Sequence, residues 1–167
     1  LEKRRGGDSA ELALDELGEQ VRILAFAGTP LMALSRKLCA LGLSGLEFAA
    51  GIPASVGGAL RMNAGAHGEA IGEITRSVIY LDATGELQHR AAESIEFRYR
   101  ESSLPSEAIV LAVELELRRG AAEQISINRN RCLEHRRSTQ PLHLPSSGSV
   151  FRNPSQETVA SATLEGP

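Results

Sequence analysis

The chain has 167 residues, of which 42% are hydrophobic and 23% charged, so its composition is that of an ordinary globular protein. Its formal net charge of −3 gives no electrostatic reason to expect nucleic acid as a partner. No apolar run reaches the roughly 18 residues of a membrane span, and no secretory signal opens the chain, so we expect no membrane partner.

The two ends of the chain and its two cysteines bear on where the protein works. Residues 1–9 contain no Met and residues 161–167 fade into small side chains, so we expect both ends to be cuts through a longer protein. Cys39 and Cys132 lie far apart and form no CxxC pair, so buried reduced thiols are favoured over a disulfide. That usage is typical of a cytoplasmic protein. We expect no metal site.

The first regular elements are a strand and a helix. Residues 21–27 alternate in part and stop at Gly28, which predicts a strand. Thr29 is then expected to cap a helix whose first residue is Pro30. Leucines recur at helical spacing through this helix, which we expect to end near Gly42: Leu31, Leu34, Leu38 and Leu41.

The middle of the chain begins with a glycine-rich stretch of low charge, residues 44–68, for which two short helices broken by turns are predicted. Strands are expected next, and we place them at 76–82, 86–90 and 109–118. A tight turn at 82–85 joins the first two, and residues 93–97 predict a short helix or turn.

The last part of the chain changes character near Gly120, where the strands stop. Residues 121–137 place a few apolar side chains among many charges and predict a surface helix. Residues 140–154 are rich in Pro, Ser and Gly and predict a loop, with one short strand expected at 149–151. A strand, helix and strand followed by an antiparallel meander indicate an α+β fold rather than a doubly wound one.

The glycine-rich stretch suits a nucleotide or flavin, although tight packing of helices on a sheet would also explain it. Glycine lets the backbone approach a ligand closely, and many exposed N–H groups suit a pyrophosphate. No Lys occurs between residues 38 and 75, and Arg61 is the one cation inside the stretch. A phosphate bound here would therefore be held by amides rather than by charged side chains.

Arg100 and Ser149 are ambiguous on local grounds. Arg100 taken alone is a surface cation just before a strand. Ser149 stands at the entry from a loop into a short strand, where a plain turn residue is the simplest interpretation. The chain has no GxSxG elbow, so Ser149 is not expected to be a hydrolase nucleophile. It could donate a proton only if a nearby cation or hydrogen bonds stabilised the alkoxide left behind.

Three ordered motifs, spread over about 110 residues, together resemble one family. Residues 45–53, 56–59 and 62–68 resemble the flavin-contacting stretch of the UDP-N-acetylenolpyruvoylglucosamine reductases. Residues 97–104 are similar to the Tyr-Arg motif of that family, and residues 137–154 to its catalytic serine motif. The Met62-Asn63-Ala64-Gly65 form is similar to the shorter class of the family, which lacks an extra substrate-capping loop.

The resemblance implies an α+β fold divided in two. Residues 1–120 would be the second lobe of an FAD-binding domain of the vanillyl-alcohol-oxidase (PCMH) type, and residues 121–167 the start of the substrate-binding domain. It also implies FAD as cofactor and NADPH as co-substrate. The implied reaction reduces UDP-N-acetylglucosamine enolpyruvate to UDP-N-acetylmuramate, a precursor of peptidoglycan.

The resemblance also implies site residues. By motif match Ser149 is the proton donor, and Arg100 supplies the cation that the local reading of Ser149 required. Tyr99, Arg152 and Asn153 would lie on the substrate side, with Arg152 in place of the usual Lys. The implied cofactor contacts come from the glycine-rich stretch: Gly51, Ile52, Pro53, Ser55, Val56, Gly57, Gly58, Asn63, Ala64, Gly65 and Gly68.

The chain also departs from the family pattern. The amino-terminal lobe with its Gly-Ser-Asn loop and the catalytic Glu are absent, Ala54 stands where Gly is usual, and His67 where Tyr is common. We therefore expect the chain alone neither to hold FAD tightly nor to turn over. Two alternatives stay open: another flavin oxidoreductase of the same fold, and a truncated non-catalytic module.

Overall fold

The computed structural model describes residues 15–140 and 152–154. Within these residues lie ten strands: β1 Asp15–Leu17, β2 Gln20–Phe26, β3 Leu43–Ser44, β4 Gly65–Ala66, β5 Glu69–Ala70, β6 Thr75–Leu81, β7 Leu87–Ala91, β8 Phe97–Arg98, β9 Glu101–Ser102 and β10 Ile109–Arg119. The helices there are α1 Leu31–Ala40, α2 Val56–Arg61, α3 Ile71–Ile74 and α4 Ala122–Thr139, with 3₁₀ turns at Glu47–Gly51 and Ala92–Ser94.

The principal sheet is antiparallel, with strand order β1-β2-β10-β6-β7, and β3 pairs with the end of β10. The α+β prediction is confirmed, as are the three strands expected after the glycine-rich stretch. The meander is wrong, because β10 returns past β7 to lie between β2 and β6. The reason is burial: Val113, Leu115 and Leu117 of β10 are at most 1% exposed, whereas β7 alternates between exposed and half-buried and suits an edge.

One face of this sheet carries the core. Val21, Ile23 and Ala25 point inward at period two from β2, and the leucines of α1 pack on them at helical spacing. Phe48 of the first 3₁₀ turn is also fully buried in this cluster. The strand and helix predicted for the first half of the chain are therefore confirmed, and so are the two short helical segments in the glycine-rich stretch.

The start of α1 differs from the prediction. The cap position is Pro30 rather than Thr29, and no side chain caps the helix. Thr29 lies instead in a turn whose carbonyl accepts a hydrogen bond from the Val56 amide at 2.9 Å, while the Leu31 amide donates to Ala54 at 2.9 Å. The backbone before α1 is thus paired with the glycine-rich stretch, and this pairing fixes where α2 begins.

On the other face of the sheet, ion pairs connect neighbouring strands. The Glu116 carboxylate on β10 accepts hydrogen bonds from Arg76 at 2.7 Å and Arg22 at 3.0 Å, which links the three central strands. The hydrogen bond from Arg76 is the main reason that the pKa of Glu116 lies below its ordinary value. Both arginines are about one-third exposed, so this network sets register more than it adds stability.

The surface helix predicted after residue 120 is confirmed as α4. Ile125 is its one buried side chain among those described, and the helix packs against α1 and the Glu47–Gly51 turn. Cys39 on α1 is buried and Cys132 on α4 is half-buried; both are free thiols, and burial raises the pKa of each. The domain boundary at residue 120 stays a prediction. No described helix has the length and apolar character needed to cross a membrane.

The β6–β7 turn depends on one carboxylate. Asp82 accepts hydrogen bonds from the Thr84 hydroxyl at 2.7 Å, the Thr84 amide at 2.9 Å, the Glu86 amide at 3.1 Å and the Gln88 side chain at 2.7 Å. These bonds, with that from the Thr84 hydroxyl foremost, lower the pKa of Asp82 from 3.8 to about 2.

We predict that Asp82→Asn lowers stability at neutral pH, because the amide has one acceptor oxygen where the carboxylate has two. A depressed pKa contributes stability that is complete above pH 3.8 and is lost as the pH falls through about 2. The difference in unfolding midpoint between wild type and variant should therefore shrink between pH 4 and pH 2. Glu86→Gln, with no described hydrogen bond to its carboxylate, is the control. A constant difference across that range would contradict the prediction.

Candidate functional site

A pocket of about 610 Å³ lies between α4, the Glu47–Gly51 turn, the β4–β5 hairpin and the β8–β9 hairpin. Its walls mix apolar side chains with two arginines and two histidines, and no carboxylate is among the described lining residues. This volume is within the usual range for organic ligands and cofactors. Five of the residues predicted as cofactor or catalytic contacts line it: Gly51, Ile52, Ala64, Gly65 and Arg100.

Arg100 reaches the pocket from a strained turn. Tyr99 and Arg100 join β8 to β9, and Arg100 has φ +58°, a left-handed conformation that favours glycine. Its guanidinium lies 4.9 Å from the centre of the Tyr99 ring and donates to the Gly65 carbonyl at 3.3 Å. Strain held at a pocket wall supports a functional role.

Asn63 holds that turn in place rather than lining the pocket. Its side-chain amide donates to the Arg98 carbonyl at 2.9 Å and accepts from the Gly72 amide at 3.0 Å. Asn63 itself has φ +39°, which Asn tolerates better than most residues. Asn63, two residues after the end of α2, thereby joins the β8–β9 hairpin to α3.

The backbone amides at the start of α2 have hydrogen-bond partners within the chain. The amides of Val56 and Gly57 donate to Thr29 and Ala27, each at 2.9 Å, and the Gly58 amide donates to the Ser55 hydroxyl at 3.2 Å. Gly57 is required for packing, because a Cβ there would lie 2.8 Å from that of Ala27. The cofactor contacts assigned to these four residues stay predictions.

Two further residues of the predicted cofactor set lie outside the pocket lining. Pro53 is exposed, and Gly68 is exposed with φ +84° in the β4–β5 turn. Their contacts with the cofactor also stay predictions.

Arg61, the cation noted inside the glycine-rich stretch, is committed elsewhere. Its guanidinium donates to the carbonyls of Leu104 at 3.1 Å and Pro105 at 2.6 Å, and also to Ser106 and Ala108. These bonds tie the end of α2 to the loop that leads into β10. Arg61 therefore positions backbone and is not placed to bind a phosphate.

The predicted substrate-side residues are exposed. Tyr99 is 54% exposed beneath the Arg100 guanidinium. Arg152 forms an ion pair with Glu101 at 3.1 Å, which brings the serine motif next to the Tyr-Arg motif. Asn153 is exposed. Ser149 lies outside the described residues, so its position and role stay a prediction.

The sequence interpretation missed one whole wall of the pocket. Four side chains of α4 face it at positions i, i+3, i+4 and i+7: Cys132, His135, Arg136 and Thr139. That helical spacing was visible in the sequence, but His135, Arg136 and Thr139 are polar or charged, so hydropathy did not mark this face. Five further residues complete the pocket lining: Phe48, Met62, Ala66, His67 and Gln140.

Comparisons with known proteins agree with this geometry. A family model described as "FAD binding domain" matches residues 12–90. The UDP-N-acetylenolpyruvoylglucosamine reductase of Heliobacterium modesticaldum is 45% identical over 86% of this chain and 46% of its own length. That of Synechococcus sp. strain RCC307 is 43% identical over 86% of this chain and 48% of its length. The chain belongs to this reductase family.

A solved structure supports the same assignment. The crystal structure of UDP-N-acetylenolpyruvylglucosamine reductase (MurB) from Thermus caldophilus is similar with a TM-score of 0.72 at 34% identity. The match covers 78% of this chain and 48% of that one. The chain thus spans about half the length of the relatives it matches. The predicted FAD-binding fold of this family is confirmed.

The pocket fits the cofactor that the matched domain takes. FAD carries a flat ring system with a polar edge, and the pocket offers apolar walls from Phe48, Ile52 and Met62 together with arginine donors. The prediction of FAD as cofactor is confirmed by the family match. The cofactor contacts of the four predicted residues that line the pocket, Gly51, Ile52, Ala64 and Gly65, stay predictions.

We predict that the left-handed backbone at position 100 lowers the stability of the protein. Arg100→Gly and Arg100→Ala both remove the guanidinium, but only Gly adopts the left-handed backbone without strain. Ala keeps the penalty of about 1–2 kcal/mol for a side chain with positive φ. Gly instead loses about 0.4–1 kcal/mol, because it makes the unfolded chain more flexible. The free energy of unfolding of the Gly variant, measured by denaturant titration, should therefore exceed that of the Ala variant by about 0.5–1 kcal/mol. Equal stability of the two variants would show that the turn is unstrained.

Proposed function

We propose that the protein containing this chain reduces UDP-N-acetylglucosamine enolpyruvate to UDP-N-acetylmuramate with NADPH, in the cytoplasm, as a step in peptidoglycan precursor synthesis. The observation that carries the proposal is Arg100. Its guanidinium lies at the wall of the pocket of an FAD-binding fold, on a strained turn, and has no carboxylate partner among the described residues. The family relationship supplies the reaction class.

When bound, FAD would accept a hydride from NADPH and pass it to the methylene carbon of the enolpyruvyl ether. Arrival of the hydride forms a C–H bond and moves the double-bond electron pair onto the adjacent carbon and its carboxylate. The substrate then carries two negative charges on one planar group. A preorganised cation beside that group stabilises it without reorganisation, and this is the role we assign to Arg100.

Protonation completes the reaction. The Ser149 hydroxyl would give its proton to the carbon that received the electron pair, which forms the second new C–H bond and leaves the serine as an alkoxide to be reprotonated from solvent. The Arg152–Glu101 ion pair supports this role, because it holds the chain three residues after Ser149 beside the hairpin that carries Arg100. Tyr99, Arg152 and Asn153 are proposed to contact the substrate.

We predict that Ser149→Ala in the FAD-loaded protein leaves reduction of the flavin by NADPH at its wild-type rate. Reoxidation by the enolpyruvyl substrate should slow by about 10²–10⁴-fold, the usual contribution of a positioned general acid. Stopped-flow absorbance of the flavin measures the two half-reactions separately. Ser138→Ala, on the exposed end of α4, is the control for loss of a hydroxyl. Equal loss of both half-reactions would remove Ser149 from the chemistry.

The cation is tested by the milder change Arg100→Lys. A lysine keeps the charge but not the planar fork, so the second half-reaction should slow while the first does not. Wild-type turnover in this variant would remove Arg100 from the site.

A further inference from the structure

The pocket holds a second guanidinium that the proposed function does not use. Arg136, on the last turns of α4, is half-buried and lines the same pocket as Arg100. Among the described residues its guanidinium has no hydrogen bond and no ion pair. A cation that lines a pocket without a counter-charge is available to pair with an anionic ligand.

The backbone beneath Arg136 is shaped to receive it. A Cβ built on Gly51 would lie 2.5 Å from Cδ of Arg136 and 3.5 Å from its Nε. The arginine stem thus lies against bare backbone at the end of the Glu47–Gly51 turn. Gly51 has no left-handed φ, and with the arginine side chain in this position a Cβ would displace it.

The elements that carry the two guanidiniums are linked through β4 and the Glu47–Gly51 turn. Arg100 donates to the carbonyl of Gly65 in β4. β4 in turn packs on the Glu47–Gly51 turn, against which the side chain of Arg136 lies. The rings of His67 and His135 meet edge to face at 5.1 Å, so the end of α4 is joined to the β4–β5 turn. The part of α4 that carries Arg136 therefore contacts both the Glu47–Gly51 turn and the β4–β5 turn.

We propose that Arg136 is a second anion-binding residue of this pocket, and that with Arg100 it receives one planar, doubly charged carboxylate group. This inference rests on the proposed function, in which the substrate carboxylate acquires a second negative charge during reduction. A single guanidinium matches the ground-state carboxylate, whereas two match the dianion. The second cation therefore favours the state formed after hydride arrival over the bound substrate.

The test uses two small anions in the FAD-loaded protein. Oxalate is a planar dianion that resembles the doubly charged carboxylate group, and acetate is its singly charged control. We expect calorimetric titration to show tighter binding of oxalate than of acetate. Arg136→Gln should reduce oxalate affinity by about ten- to a hundredfold and acetate affinity much less, as for removal of one partner from a charged hydrogen bond.

Three further variants make the test specific. Gly51→Ala should mimic Arg136→Gln without changing charge, because its new Cβ displaces the arginine stem. Arg136→Lys should restore part of the oxalate preference. Arg131→Gln, exposed on the same helix and outside the described lining, should bind both anions as wild type does. Circular dichroism confirms that each variant is folded.

The outcomes separate the two proposals. An oxalate-to-acetate ratio that is unchanged in folded Arg136→Gln overturns the role of Arg136 and leaves the reductase proposal standing. Equal wild-type affinity for the two anions overturns it as well. Failure of the wild-type protein to reduce the enolpyruvyl substrate, with the oxalate preference intact, contradicts the proposed function and leaves an anion site.

Discussion

The two-sided pairing of β10 is the interaction on which the rest of the structure depends. Its seven-residue register with β2 and its bulged register with β6 bring together strands that are about fifty residues apart in sequence. The core helices lie on the sheet so formed. Because Arg61 ties the loop before β10 to the end of α2, the same pairing also locates the glycine-rich stretch. The pocket is therefore positioned by long-range contacts rather than by the loop that lines it.

Strain at Arg100 is tolerated because its surroundings are over-determined. The turn is closed by the β8–β9 pair, and Asn63 binds the carbonyl of Arg98 just before it. Ser102, just after it, is buried, and its hydroxyl donates to the Arg61 carbonyl at 3.0 Å. The two side-chain hydrogen bonds come from the end of α2 and the residues just after it. The cost of a left-handed arginine, about 1–2 kcal/mol, is thus offset by bonds that also orient the guanidinium.

Local patterns in the sequence predicted the elements well and their arrangement poorly. Apolar strand-like segments predicted β2 and β10, and the spacing of leucines predicted α1, because each pattern reports one face of one element. Strand order depends on pairing between distant segments, so the meander was wrong. Thr29 failed as a cap because its backbone pairs with the glycine-rich stretch, a contact that no local signal carries.

The same distinction explains the site. Two of the glycines predicted as cofactor contacts, Gly51 and Gly65, do line the pocket. The structure, however, gives each a packing reason rather than an exposed amide. At Gly51 the missing side chain admits Arg136, and at Gly65 a Cβ would overlap the Glu69 carbonyl. The motif resemblance found Arg100 because its neighbours in sequence are distinctive. Arg136 was missed because a lone arginine on a charged helix resembles a solvated one until the fold shows what lies beneath it.

The placement of α4 explains why one helix both packs on the fold and lines the pocket. The helix starts three residues after β10 ends, so the register of β10 in the sheet also sets where α4 lies. Its one buried apolar residue, Ile125, is near that start, whereas its polar pocket-facing residues lie in its second half. The first turns thus anchor the helix to the fold, and the later turns carry charge to the pocket. The later turns of α4 can present cations to a ligand without a carboxylate to neutralise them, since a bound anion supplies the missing charge.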